Sequence, residues 1–131
     1  MMVGKFYNAM KDFETAVTEQ PNNCVALYNF SCFLAGCPDA HYRDGTRALA
    51  LAKAAGEISH WNDPAIFGAM AAAYAECGQF ENAVSWQTKK IDLDNNPDDM
   101  RLNYELLSLY RNSKPYRAML WNTNSISQTK N

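Results

Sequence analysis

Apolar positions along the chain recur at steps of three and four, the period that builds one face of a helix. The clearest stretch places Phe67, Met70, Ala71 and Tyr74 on one such stripe. It opens with Asn62-Asp63-Pro64, a side-chain oxygen for orphan N–H groups followed by a proline suited to the first helical position. Gly78 stops it, because glycine accepts the left-handed conformation at a helix C-terminus. Phe80, Ala83, Val84 and Ile91 stripe a second helix, ended by Asn95-Asn96-Pro97. The pattern predicts an antiparallel helical hairpin.

Similar spacing occurs twice more. Gly4, Phe6, Ala9, Phe13, Ala16 and Pro21 repeat the second half of that unit, from turn glycine to final proline. Leu27, Phe30, Ser31 and Leu34 then form one stripe, and Ala48, Ala52 and Ala55 its partner. Leu34 to Ala48 is 14 positions where Tyr74 to Ala83 is 9, so this hairpin carries an insertion at Cys37–Gly45. Within it Pro38 ends one helix and Asp44 is placed to cap the next. After Pro97, Asp98-Asp99 are expected to cap a helix striped by Met100, Tyr104, Leu107 and Tyr110 or Arg111, broken by Lys114-Pro115-Tyr116-Arg117. The predicted helices are 4–19, 24–36, 44–58, 64–77, 80–93 and 98–112, in one domain over 1–117. Residues 118–131 are read as a polar tail, mobile over Asn122–Asn131.

The spacing resembles the tetratricopeptide repeat, a helix-turn-helix unit of 34 residues. Phe67 stands for the usual Trp, Met70 for the Leu, Ala71 for the small residue and Tyr74 for the Tyr; Gly78, Phe80 and Ala83 follow at consensus spacing. Gln87 and Lys90 depart from it, standing where an aromatic and an alanine are usual, with Trp86 placed to compensate. The resemblance implies an all-α fold, an α-solenoid of antiparallel hairpins with about six helices. It divides the chain into a half-repeat 1–21, a repeat 24–62, a repeat 64–97 and a capping helix 98–112. The segments around Cys37–Ala48 and Ala71–Gln87, with the closing Lys-Pro-Tyr-Arg, resemble a bacterial branch found within larger multidomain proteins, some protein kinases among them. The chain is therefore expected to be a fragment or a module encoded alone.

The resemblance also implies a function. Such arrays bind a peptide or helix along the concave surface lined by the first helix of each hairpin. The corresponding positions are Val25, Tyr28, Asn29, Cys32 and Ala35 in one repeat and Ala65, Gly68, Ala69, Ala72 and Glu76 in the next. Arg101 and Glu105 of the capping helix are expected to join them. Family members that clamp a C-terminal carboxylate use Lys, Asn and Arg in this groove. Here Tyr28, Cys32, Gly68 and Ala72 occupy those places and only Asn29 matches, so no clamp is expected. The implied role is non-catalytic protein–protein interaction. The competing reading is a structural or homo-oligomerisation module, in which the apolar strip and half-repeat pack on a second copy. Within that half-repeat one side of Phe6, Ala9 and Phe13 is expected to lack cover.

Composition narrows the alternatives. The 131 residues are 47% apolar and 20% charged, an ordinary globular mix that excludes a disordered or collagen-like chain. Twelve Lys/Arg face fourteen Asp/Glu without a basic block, so no nucleic-acid surface is expected. The longest apolar run, Ala65–Ala75, is far short of the ~20 residues that cross a bilayer. The first residues lack a secretory hydrophobic core, so no signal peptide is read and no membrane partner is expected. Cys24, Cys32, Cys37 and Cys77 form no paired motif and are read as reduced thiols of a cytoplasmic protein, with no metal.

Candidate catalytic groups are few. Cys37 and His41 could be imagined as nucleophile and base, but Pro38 separates them and no oxyanion-hole glycine motif follows. Asp39, His41 and Asp44 read as turn and cap residues rather than metal ligands. His60-Trp61 is expected to close a helix, with the indole packing on the next hairpin. Phosphate-binding glycine loops are absent. No enzyme activity and no cofactor are expected.

Overall fold

The computed structural model describes residues 2–117. The proposed tail at 118–131 lies outside the described residues. Among them the chain is all-helical: α1 (Met2–Glu19), α2 (Cys24–Gly36), a single 3-10 turn (Ala40–Tyr42), α3 (Gly45–Ser59), α4 (Pro64–Glu76), α5 (Phe80–Leu93) and α6 (Pro97–Arg111). No strand occurs among the described residues. These bounds follow the sequence expectation closely because the punctuating residues act locally.

At the helix starts, the Asn23 side chain accepts from the Val25 and Ala26 amides at 3.0 and 3.2 Å. Asp44 accepts from Arg47 and Asp63 from Ala65, both at 3.0 Å. Each such cap is worth about 1 kcal/mol. The expected capping role of Asp98-Asp99 is corrected: Asn96 caps α6, accepting from the Asp98 amide at 3.0 Å. Pro97, with no N–H to satisfy, fits the first helical position and starts the helix one residue early. The two carboxylates instead occupy the first turn, where they complement the helix dipole.

Two helix ends use the same device. Gly78 has φ +79°; its amide bonds Ala75 O at 3.0 Å and that of Gln79 bonds Tyr74 O at 2.9 Å, closing α4 in a Schellman motif. At the end of α3 the left-handed positions are His60, φ 57°, and Trp61, φ 58°, with Trp61 N donating to Gly56 O at 2.8 Å. That turn folds the Trp61 indole onto Gly56, where a Cβ would stand 2.3 Å from the ring. Trp61 then packs against Phe67 and Trp86, with centroids 6.4 and 5.4 Å away.

Consecutive helices from α1 to α6 pack on each other, and α2 also lies against α4. Small side chains mark the close contacts: Ala48, Ala52, Ala55, Ala71 and Ala83 are fully buried, as axes about 8–10 Å apart require. Ser31, also buried, donates to Ala48 O at 2.7 Å and ties α2 to α3. The expected lack of cover on Phe6 is corrected. Phe6 is buried, with the Tyr42 ring of the insertion 6.3 Å away. Tyr42 also meets Phe33 at 6.3 Å, and Phe13 stacks on Phe30 at 5.6 Å. The insertion thus covers Phe6 from within the same chain, while Ala9 and Phe13 stay half-buried.

The two departures from the repeat consensus dock α6. Gln87 is fully buried and donates from Nε2 to Asn103 O at 2.9 Å. Lys90 Nζ donates to Asn103 Oδ1 at 2.7 Å and to Asp94 Oδ2 at 3.2 Å. Asn103 Nδ2 returns to Asp94 Oδ2 at 3.1 Å. This polar seam fixes the rotation of α6, so its buried residues are Asn103, Leu107 and Tyr110. Tyr104, expected in the buried stripe, is correspondingly 56% exposed.

Candidate functional site

Placing α2 beside α4 and α6 beside α5 leaves a cavity of about 200 Å³ where their side chains meet. Tyr28 and Cys32, one turn apart, come from α2; Ala65, Gly68, Ala69 and Ala72 form a stripe from α4. Lys90 crosses from α5, Leu102, Asn103, Leu106 and Tyr110 close the α6 side, and Tyr116 forms the last wall. The lining is small on α4 and bulky on α6, with Tyr28 and Cys32 from α2. Gly68 leaves room there for the Lys90 stem, 2.9 Å from where a Cβ would stand.

Six residues expected in the groove therefore do come together: Tyr28, Cys32, Ala65, Gly68, Ala69 and Ala72. Ala69 and Ala72, expected to be open, are buried at 1% and 4% exposure, and Ala35 is buried as well. The reason is close packing: Ala69 clusters with Ala52 and Met70 beneath Tyr28 and Cys32, and Ala72 clusters with Phe30 and Ala48, with Tyr116 against that cluster. Val25 and Asn29 are exposed on α2 and do not line the cavity. Arg101 also stays outside: it is 91% exposed and pairs with Glu105 at 3.3 Å. The α6 residues that face inward are its neighbours Leu102, Asn103 and Leu106, turned in by the bonds to Asn103.

Glu76 sits apart from the cavity, at the end of α4, between two guanidinium groups. Arg43 Nε lies 3.3 Å from one carboxylate oxygen and Arg117 Nη1 lies 2.8 Å from the other. Arg43 also donates to Cys37 O at 2.6 Å and Pro38 O at 3.2 Å, so it fastens the insertion to α4. Lys90, Leu102, Asn103, Leu106, Tyr110 and Tyr116 were not among the expected groove residues, nor was Arg117 expected beside Glu76. The one available signal was Lys90, a cation at an expected alanine position.

Burial pushes the Cys32 thiol up to about 12, and the Tyr28 hydroxyl is raised by burial and then by Cys32 and Asp63. Both groups stay protonated at neutral pH. Cys37 is buried and its thiol is raised by burial, whereas His41 is exposed with its ring edge-on to Tyr42 at 4.9 Å. Asp39 caps the 3-10 turn by accepting from the His41 amide at 2.9 Å. No group of three His, Cys, Asp or Glu side chains able to hold a metal occurs among the described residues. No helix among them is long and apolar enough to cross a membrane. Comparison with protein-family models, curated proteins and solved structures returns no match.

Proposed function

We propose that this chain is a tetratricopeptide-like α-solenoid and that it works as a non-catalytic protein–protein interaction module. Its partner is a peptide or helix received on the concave face formed by α2, α4 and α6. One observation carries the reading: an apolar cavity lies between those three helices, small-walled on the α4 side and edged by the half-buried Tyr28 and the 49% exposed Leu102. Such a site accepts an aliphatic or aromatic side chain presented by an extended or helical segment. The order of helix contacts, each with its successor and α2 with α4, supports the repeat assignment. So do the fully buried Ala71 and Ala83 at the predicted close-contact positions. The unpaired state of all four cysteines supports a reducing, cytoplasmic setting.

A second copy is the less favoured occupant, because Phe6 is already covered by Tyr42 within one chain. Site-specific photo-cross-linking in the source cells tests the proposal. A photoreactive residue at Asn29 or Leu102 is expected to give discrete protein adducts. The same group at Lys53 of α3 or Thr88 of α5 is expected to give none. Adducts confined to the α3 and α5 positions would overturn the assignment of the face.

A further inference from the structure

The ends of α2 and α4 hold a second, more selective feature. After α6 the chain turns through Ser113, whose φ is +58°, and Lys114-Pro115 carries Tyr116 and Arg117 back across α2 and α4. The Tyr116 ring lies over Gly36, so close that a Cβ there would stand 2.5 Å from it; glycine is what makes the slot. Arg117 Nη1 donates to Glu76 Oε1 at 2.8 Å and reaches Ala35 O at 3.5 Å. Two helix C-termini converge here, so their outward carbonyls add to the negative charge of Glu76. The other oxygen of Glu76 is committed to Arg43, which leaves one site for a single incoming guanidinium.

Every recognition element of this contact is local to a dipeptide. Tyr116 and Arg117 are both half-buried, in non-helical backbone, and the Arg117 side chain keeps 28% of its surface exposed. We propose that Gly36, the Ala35 carbonyl and Glu76 form a receptor for an extended aromatic–arginine dipeptide. The chain's own Tyr116-Arg117 fills it in cis, and a partner segment of the same chemistry enters by displacing it. This rests on the interaction-module reading and names part of what the partner must carry. Tethering a few residues from the slot gives the cis segment an effective concentration of about the millimolar range, so a free competitor binds the parent chain weakly.

Fluorescence anisotropy with a labelled synthetic peptide, Ser-Lys-Pro-Tyr-Arg amide, tests the proposal on the full chain. The double variant Tyr116→Ser/Arg117→Ser is expected to bind this peptide about tenfold or more tighter than the parent, by removal of the tethered competitor. Adding Glu76→Gln is expected to erase most of that gain. Arg117→Ser alone keeps the Tyr116 packing and gives a smaller gain, so it serves if the double variant loses its helical circular dichroism. A folded, vacated slot that binds no tighter than the parent overturns the proposal, as does binding indifferent to Glu76→Gln. Persisting cross-links from Asn29 and Leu102 alongside that failure would remove the dipeptide slot alone and leave the interaction-module reading standing.

Discussion

Lys90 Nζ and Asn103 Oδ1 are 2.7 Å apart, and this bond, together with those from Gln87 and to Asp94, sets which residues of α6 face the cavity. Asn103 is 1% exposed and also receives Gln87 at its backbone carbonyl. Removing its side chain leaves the Lys90 ammonium and Asp94 without that shared partner. We expect Asn103→Ala to destabilise the fold by about 1–3 kcal/mol, the usual cost of an unmet buried polar group. Urea denaturation followed by circular dichroism measures it. In a cycle with Lys90→Ala the two losses should be far from additive, because both break one network.

The same seam predicts a pH response. Asp94 is held below its ordinary value of 3.8, chiefly by the Asn96 amide and then by the Asn103 side-chain bond, with Lys90 adding to both. A carboxyl lowered in the folded state contributes stability that is fully present above the unfolded value and fades as pH falls through the folded one. The Tm is therefore expected to lose this contribution only below about pH 4, starting near the ordinary carboxyl value. In Asp94→Asn that part of the acid-side decline should be missing, which thermal melts from pH 7 to pH 2 would reveal.

His60 occupies a left-handed position that glycine fills at the end of α4, with φ 57° against +79° for Gly78. Glycine there relieves the Cβ penalty at some cost in unfolded-state entropy. We expect His60→Gly to stabilise the protein by about 0.5–1 kcal/mol. The converse change, Gly78→Ala, should destabilise by a similar amount although nothing lies within 4 Å of the added Cβ.

Thiol reactivity offers an independent check on the two thiols that burial raises, Cys32 and Cys37. With its thiol near 12, Cys32 carries only about one part in ten thousand of thiolate at pH 8. Iodoacetamide at pH 8 should therefore leave Cys32 and the buried Cys37 unmodified in the native protein, and mass spectrometry after digestion reads the result.

What was legible in the sequence was what neighbouring residues settle. Asn23, Asp44 and Asp63 cap their helices through amides two or three residues away, and Gly78 ends α4 by its own φ. Spacing alone therefore located the helices and the close-contact alanines. The face of α6 was not legible, because it is set by Gln87 and Lys90, 16 and 13 positions from Asn103. Nor was the closure by Tyr116, whose slot is Gly36, or the bond from Arg117 to Glu76, 41 positions away. Groove positions carried over by resemblance assume an open face. Ala69 and Ala72 are instead buried by their packing with α2 and α3, which the groove positions alone do not announce.

That packing also determines which substitution tests binding without testing folding. Ala72 is only 4% exposed, so an arginine there would disturb the core, whereas Leu102 lines the cavity and is 49% exposed. The decisive measurement is the affinity, by isothermal titration calorimetry, of a partner captured from Asn29 or Leu102 for the parent chain, Leu102→Arg and Lys53→Glu. Surface changes of this kind shift stability by less than about 0.5 kcal/mol, so all three should melt together. An interaction module that uses this face predicts at least a roughly tenfold loss of affinity for Leu102→Arg, the effect of a charge set against an apolar contact, and none for Lys53→Glu. Unchanged affinity in a folded Leu102→Arg protein would contradict it.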